Sequence, residues 1–253
     1  MPIHLIGTGN LAKKIAIRLE EKEIAITSVI SRSIDRAQDL ASKYNANSIQ
    51  LNHNLPDEGM FLLCVNDDSI EPISALLDTK NGMVIHFSGS KSFNNIAEKH
   101  KSRGVIWPLQ SFTASSNPNW DNIPLIYSYN GFDFESFVAF MNVLGKQQYG
   151  LSKDEKAQLH LAAVLVNNFT NLLYTEAEKR LTKSNVSFEL LLPILQQMIT
   201  QLQQVSPAQT QSGPAKRGDL QTLQKHLNLL DDDLELQEIY KLLSKRINPE
   251  LKL

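Results

Sequence analysis

The sequence predicts a doubly wound, mainly parallel α/β sheet followed by an all-α C-terminal region. Three observations predict it. Short apolar runs alternate with amphipathic helical patterns over residues 1–150. The run "GTGNLA" (7–12) stands at the first strand-to-helix join, and strand patterns cease after Leu151. Alternation of this kind builds a parallel sheet covered by helices on both faces.

In order, "PIHLI" (2–6) reads as a strand and Asn10 to Lys22 as a helix, with "IAITSVI" (24–30) as the next strand. "DRAQDLASKY" is helical and leads to a weaker strand near Ser48–Leu51. "MFLLCV" (60–65) is almost continuously apolar, as for a strand buried on both faces. Helical "SIEPISALL", strand "MVIHFS", helical "NNIAEKHKSR" and strand "GVIWP" continue the pattern, and "IPLIYSY", helical "FESFVAFMNVLG" and "KQQYG" extend the sheet. From Ser152, a serine and an acidic first turn open a helix of about seven turns or more. In the next helical run Pro193 marks a kink or a late start. "SPAQTQSGPAKRGD" is a loop by composition, and two further helices end the chain. The domains are therefore placed at 1–150 and 151–253.

Composition bounds the function. With 253 residues, 42% apolar and a formal net charge of −2, the chain suits a globular protein without a dominant nucleic-acid surface. Cys64 is the single cysteine, so no intrachain disulfide forms, and it reads as packing rather than as a nucleophile. No apolar run approaches the ~20 residues of a membrane span, and no basic, apolar leader opens the chain. A cytoplasmic protein is the expectation. The histidines lack metal-ligand spacing, and no metal is expected.

"GTGNLA" has the form G-x-G-x-x-A. In a dinucleotide site Gly7 permits the tight turn, Gly9 lets the main chain approach a pyrophosphate, and small Ala12 allows close helix–strand packing. The amides of Thr8, Gly9, Asn10 and Leu11, with the positive end of the helix, would attract phosphate. After the second strand comes "ISRS": Ser31, Arg32 and Ser33, with no carboxylate until Asp35. A guanidinium and two hydroxyls suit a 2′-phosphate, which favours NADP over NAD, although Arg32 also reads as a solvated residue opening a helix. Later strand ends supply the other candidate cofactor contacts: Cys64, Val65, Asn66 and Asp67 in "CVNDDS", and Ser88 and Gly89 in "HFSGS". Asp67 or Asp68 alternatively caps the helix starting near Ser69.

Hydride transfer to a carbonyl or imine needs a proton donor and orienting polar groups. His86 ends a buried strand beside Ser88. His160 lies on the long helix with Asn167 and Asn171 within about 20° of its face and Asn168 about 80° round. His86, Ser88, His160, Asn167, Asn168 and Asn171 are the candidate catalytic residues. The competing reading is that the same side chains satisfy neighbouring backbone groups.

"GTGNLA", "SRS", "LLCVNDDSI", "IHFSGS" and "WPLQSF" (107–112), with "HLAAVLVNNFTNLLYTEAE" and "SGPAKRGDLQTLQKHL", resemble an uncharacterised bacterial family. That family joins a Rossmann-like domain to the domain of unknown function 2520, and the match covers nearly the whole chain. The resemblance implies an NADP oxidoreductase related in architecture to pyrroline-5-carboxylate reductase, prephenate dehydrogenase and the β-hydroxyacid dehydrogenases. It implies a small-molecule substrate held between the two domains and homodimerisation through the helical one. Two departures matter. The family's His-Pro is Trp107-Pro108 here, and the lysine and asparagine of β-hydroxyacid dehydrogenases have no counterpart among His160, Asn167, Asn168 and Asn171. The rival reading is a non-catalytic NADP(H)-binding sensor, and an oxidising direction is equally compatible with the residues.

Overall fold

The apolar runs do become strands. In the computed structural model, which describes residues 1–79 and 81–253, eight strands form one sheet in the order β3-β2-β1-β4-β5-β6-β7-β8. They are β1 (Ile3–Ile6), β2 (Ser28–Ser31), β3 (Asn47–Gln50), β4 (Met60–Leu63), β5 (Met83–His86), β6 (Ser102–Pro108), β7 (Leu125–Asn130) and β8 (Gln148–Gly150). β1 to β6 pair in parallel, β7 runs antiparallel to β6, and β8 pairs parallel to β7. Every residue of β1, β4 and β5 is buried, as their mainly apolar character requires.

The helices on this sheet are α1 (Asn10–Glu21), α2 (Ile34–Ala41), α3 (Ile70–Leu76) and α4 (Phe134–Leu144). Ala12, Ile15, Ala16 and Leu19 of α1 recur at helical spacing and all lie in the core. Buried Arg18 donates from Nε to the carbonyls of Val143 and Leu144, both at 3.0 Å, and pairs with Asp121. It thereby satisfies acceptors that the last turn of α4 leaves open.

One expected helix is missing. Within residues 94–103 only the end of a 3₁₀ turn at Phe93–Asn95 is helical, and the last two residues already belong to β6. The polar groups of this segment are claimed from outside it. Ala97 donates its N–H to Ser74 Oγ at 2.9 Å, and His100 is held by the Thr79 hydroxyl at 2.8 Å and the Ser74 carbonyl at 2.7 Å. Tertiary partners override the local helical pattern.

Beyond β8 come α5 (Lys153–Ala163), a π-helical segment (Val164–Phe169) and α6 (Thr170–Lys183). Ser152 caps α5 in a capping box with Glu155. Then follow α7 (Leu192–Leu202), α8 (Pro207–Thr210), α9 (Pro214–Arg217), α10 (Leu220–Asn228) and α11 (Leu234–Ile247). Pro193 stands in the first turn of α7 after a 3₁₀ turn, so the late start, not the kink, is what occurs. The stretch expected to be loop contains the short helices α8 and α9. Asp219 caps α10 through the Thr222 N–H at 3.1 Å.

The chain divides into two compact units, Met1–Asn171 and Leu172–Leu253. The first holds the whole sheet together with α5 and the π-helical segment. Strands end at Gly150, where the sequence pattern changes, but the first helical turns after that point group with the sheet. No helix among the described residues is long and apolar enough to cross a membrane.

Candidate functional site

β1 ends at Ile6 and the chain turns through Gly7 into α1. Gly7 has φ +109°, and a Cβ there would stand 2.2 Å from the Cys64 carbonyl oxygen. That glycine is required by the fold itself. Gly9 is different: it opens α1 with an ordinary φ of −74°, and a Cβ on it would meet no atom within 4 Å. Packing gives no reason for that second glycine. Ala12, fully buried, is the close-packing residue the motif calls for.

Gly9 lines a cavity of about 280 Å³ at the carboxyl ends of β1, β2 and β4. Gly7, Thr8 and Gly9 form one wall, Ser31, Arg32, Ser33 and Arg36 the rim over β2, and Cys64, Val65 and Asn66 the wall after β4. Among the described residues no Asp or Glu lines it. These are the features a diphosphate with an additional phosphoryl group needs: an unshielded helix N-terminus, open space at a glycine, and two guanidinium groups without a competing acid. Arg36 is a residue the sequence reading passed over, although it follows Arg32 by four positions. Ser33 caps α2 by accepting the Arg36 N–H at 3.4 Å, so its hydroxyl hydrogen stays available.

The side chains of the other expected cofactor contacts lie outside this cavity, while the amides of Asn10 and Leu11 remain at the start of α1. Asn10 donates from Nδ2 to the Phe112 carbonyl at 3.3 Å, and Leu11 packs against the core. Asp67 does not cap α3. Its carboxylate accepts the Ser90 hydroxyl, while Lys91 stands 3.7 Å from Asp68. Ser88 and Gly89 lie outside this cavity, in the loop after β5.

That loop is tightly held. Ser88 Oγ accepts the N–H groups of Ser90 and Lys91, both at 3.1 Å. Buried Lys156 on α5 donates to the carbonyls of Ser88 at 2.9 Å and Lys91 at 2.6 Å. Burial brings the Lys156 ammonium down to about 8, against the opposing pull of Asp67. Lys156 was unforeseen, because a lysine in an opening helical turn reads as solvated. Gly89 lets the loop approach α5: a Cβ there would stand 2.7 Å from both the His160 ring and the Trp107 ring.

His86 is turned into its own loop. It is fully buried, its Nδ1 accepts the Ser88 N–H at 3.2 Å, and its Nε2 donates to the Ser92 carbonyl at 3.0 Å. Burial pushes its pKa down to about 4, so it is a neutral ring consumed by its own loop. The hydrogen bonds of His86 and Ser88 thus hold the loop Ser88–Ser92 together, which favours a structural role for both.

His160 has the opposite surroundings. Its ring packs against Trp107, centroids 5.5 Å apart, and neither nitrogen has a hydrogen-bond partner among the described residues. With Trp107, Gln110, Ser111, Asn167 and Asn168 it lines a second cavity of about 450 Å³. Asn171 is not among the lining residues. A π-helical segment turns less per residue than an α-helix, so the face counted at 100° per residue fails beyond Val164. Thr170 Oγ1 donating to the carbonyl of Leu165, five residues back, follows the same wide turn.

Residues 132–247 match the model of the domain of unknown function (DUF2520). Residues 1–57 match the shikimate / quinate 5-dehydrogenase model. The resemblance in the sequence, a Rossmann-like domain followed by DUF2520, is therefore correct. Among solved structures, a provisionally assigned NADP oxidoreductase from Bacteroides fragilis is 28% identical over 98% of each chain, with a TM-score of 0.88. A protein from Thermotoga maritima is 23% identical over 96% of this chain and 98% of its own, with a TM-score of 0.78. An Aspergillus terreus reductive aminase, in complex with NADPH and ethyl levulinate, shares the fold at 16% identity and a TM-score of 0.70, over 98% and 94% of the two chains. No curated protein matches the sequence. The DUF2520 region as matched begins at Phe132, ahead of α4, so it overlaps the sheet-bearing unit.

Proposed function

We propose that this protein is an NADP(H)-dependent oxidoreductase that reduces a small carbonyl or imine compound. The observation that carries the reading is the single cavity shared by the Gly7–Gly9 turn, Arg32 and Arg36, free of acidic side chains. The Bacteroides neighbour, described as an NADP oxidoreductase, and the NADPH complex of the Aspergillus enzyme support the same cofactor. The amides at the start of α1 bind the diphosphate, and Arg32 and Arg36 grip the 2′-phosphate.

NADPH held there would supply the hydride for the substrate carbon and leave as NADP⁺. His160 then gives the proton that the carbonyl oxygen or imine nitrogen requires, yielding an alcohol or an amine. Asn167, Asn168 and Gln110 orient the polar group, and Trp107 excludes water from one wall. Lys156 is a positioning residue here: it ties the loop Ser88–Ser92 to the helix that carries His160.

Replacing Arg32 and Arg36 together by Ala is expected to weaken NADPH binding by ~100-fold while leaving NADH binding nearly unchanged. Titrations followed by NADPH and NADH fluorescence read the ratio. An equal loss for both cofactors removes the phosphate-gripping role.

Homodimerisation belongs to this reading. In the unit Leu172–Leu253, Leu190 is 72% exposed, Ile194 66%, Ile199 63%, Leu229 73% and Leu242 69%. So many exposed large apolar side chains call for a covering surface, and a second copy supplies one. Light scattering at micromolar concentration is expected to give twice the 28.5 kDa chain mass. A monomer at that concentration would overturn it.

A further inference from the structure

The cavity beside His160 has a chemical bias of its own. Its walls are Trp107, Leu109, Leu159, Val164 and Val166 on the apolar side, with amides, one hydroxyl and one imidazole on the other. Among the described residues no Lys, Arg, Asp or Glu lines it. The buried ammonium next door, Lys156, directs its hydrogen bonds to two main-chain carbonyls of the Ser88–Ser92 loop and lines a different cavity. The π-helical segment adds a second peculiarity. It brings two consecutive asparagines, Asn167 and Asn168, to one cavity.

Such a lining treats charge and polarity differently. A carboxylate entering it loses water and gains no counter-ion, which is costly in a partly apolar site. A carboxamide, hydroxyl or ether loses less, and the amides of Gln110, Asn167 and Asn168 offer it both donors and acceptors. We propose that the substrate of this site is an uncharged carbonyl or imine compound with a mainly apolar body, and that carboxylate-bearing analogues are rejected. The inference rests on the oxidoreductase reading above and names its substrate class.

The test uses a pair matched in shape: 4-acetylcyclohexane-1-carboxamide and 4-acetylcyclohexane-1-carboxylate. Calorimetric titration of the unmodified protein with NADP⁺ present is expected to show the carboxamide bound ~100-fold more tightly than the carboxylate. The location of binding is read by fluorescence. The chain has two tryptophans, so Trp120→Phe leaves Trp107, in the cavity wall, as the sole reporter. A ligand response in the unmodified protein that disappears in Trp107→Phe gives the same location should Trp120→Phe fold poorly. Asn168→Lys places a cation in the lining and is expected to reverse the ranking. Equal affinity for the pair, tighter binding of the carboxylate, or no binding of either overturns the substrate class. NADPH titration without either compound separates the two levels. Normal cofactor binding with a failed ranking sinks this inference alone, whereas absent cofactor binding sinks the reading beneath it.

Discussion

Gly7→Ala and Gly9→Ala are expected to fail in opposite ways, although the two positions are separated by a single residue. At Gly7 the added methyl must occupy a left-handed backbone conformation and stand 2.2 Å from the Cys64 carbonyl oxygen. Backbone strain contributes about 1–3 kcal/mol and overpacking a similar amount. The turn leads from buried β1 into α1 and lies against the end of β4, the strand paired with β1, so the displacement cannot relax into solvent. A loss of about 3 kcal/mol or more in a denaturant melt is expected, with NADPH binding lost as a consequence. At Gly9 the φ is ordinary and the added methyl meets no protein atom. The melt should stay within about 0.5 kcal/mol, as for a substitution that touches nothing. NADPH affinity should nevertheless fall at least ~10-fold, since the methyl occupies the approach of the diphosphate. Gly9→Ala with unchanged affinity would remove the helix N-terminus from the cofactor site.

The contrast between these glycines also shows what a sequence discloses. Both were legible as a motif because they sit between an apolar run and an amphipathic helix, and that context is local. The strands were legible for the same reason: "MFLLCV" and "MVIHFS" are apolar without alternation, and only burial on both faces tolerates that. The second site was less legible. Lys156 looks like any lysine on an opening helical turn until the carbonyls of Ser88 and Lys91 arrive from 68 and 65 residues away. Its one sequence signal is the spacing of four from His160, which shares its helix face. Residues 94–103 fail in the same manner, since Ser74 and Thr79 hold them out of a helix. Asn171 fails for a subtler reason: the π-helical turn resets the angular count, and no residue in "VLVNNF" announces it.

Position 107 bears on the last question, which histidine does chemistry. The resemblance would put a histidine there, and the Trp107 ring that stands instead packs directly on His160. An imidazole therefore stands beside position 107, carried by α5. His160→Gln is expected to lower turnover with an accepted carbonyl or imine substrate by ~100-fold or more, with NADPH affinity and thermal stability unchanged. His86→Gln is expected to do the reverse. Glutamine offers an acceptor for the Ser88 N–H and a donor for the Ser92 carbonyl, so turnover should stay of the same order. Its signature is in acid stability. Folded His86 takes a proton only near pH 4, whereas an unfolded imidazole takes one near its ordinary 6.5. The unfolded chain therefore binds more protons between those values. Stability supplied by the buried neutral ring is complete above pH 6.5 and drains away as pH falls toward 4, by roughly 3 kcal/mol. Denaturant melts at pH 7 and pH 4.5 should show a shallower acid loss in His86→Gln than in the unmodified protein. Equal acid losses would mean that His86 titrates in contact with water, and that a proton donor at the end of β5 has to be reinstated.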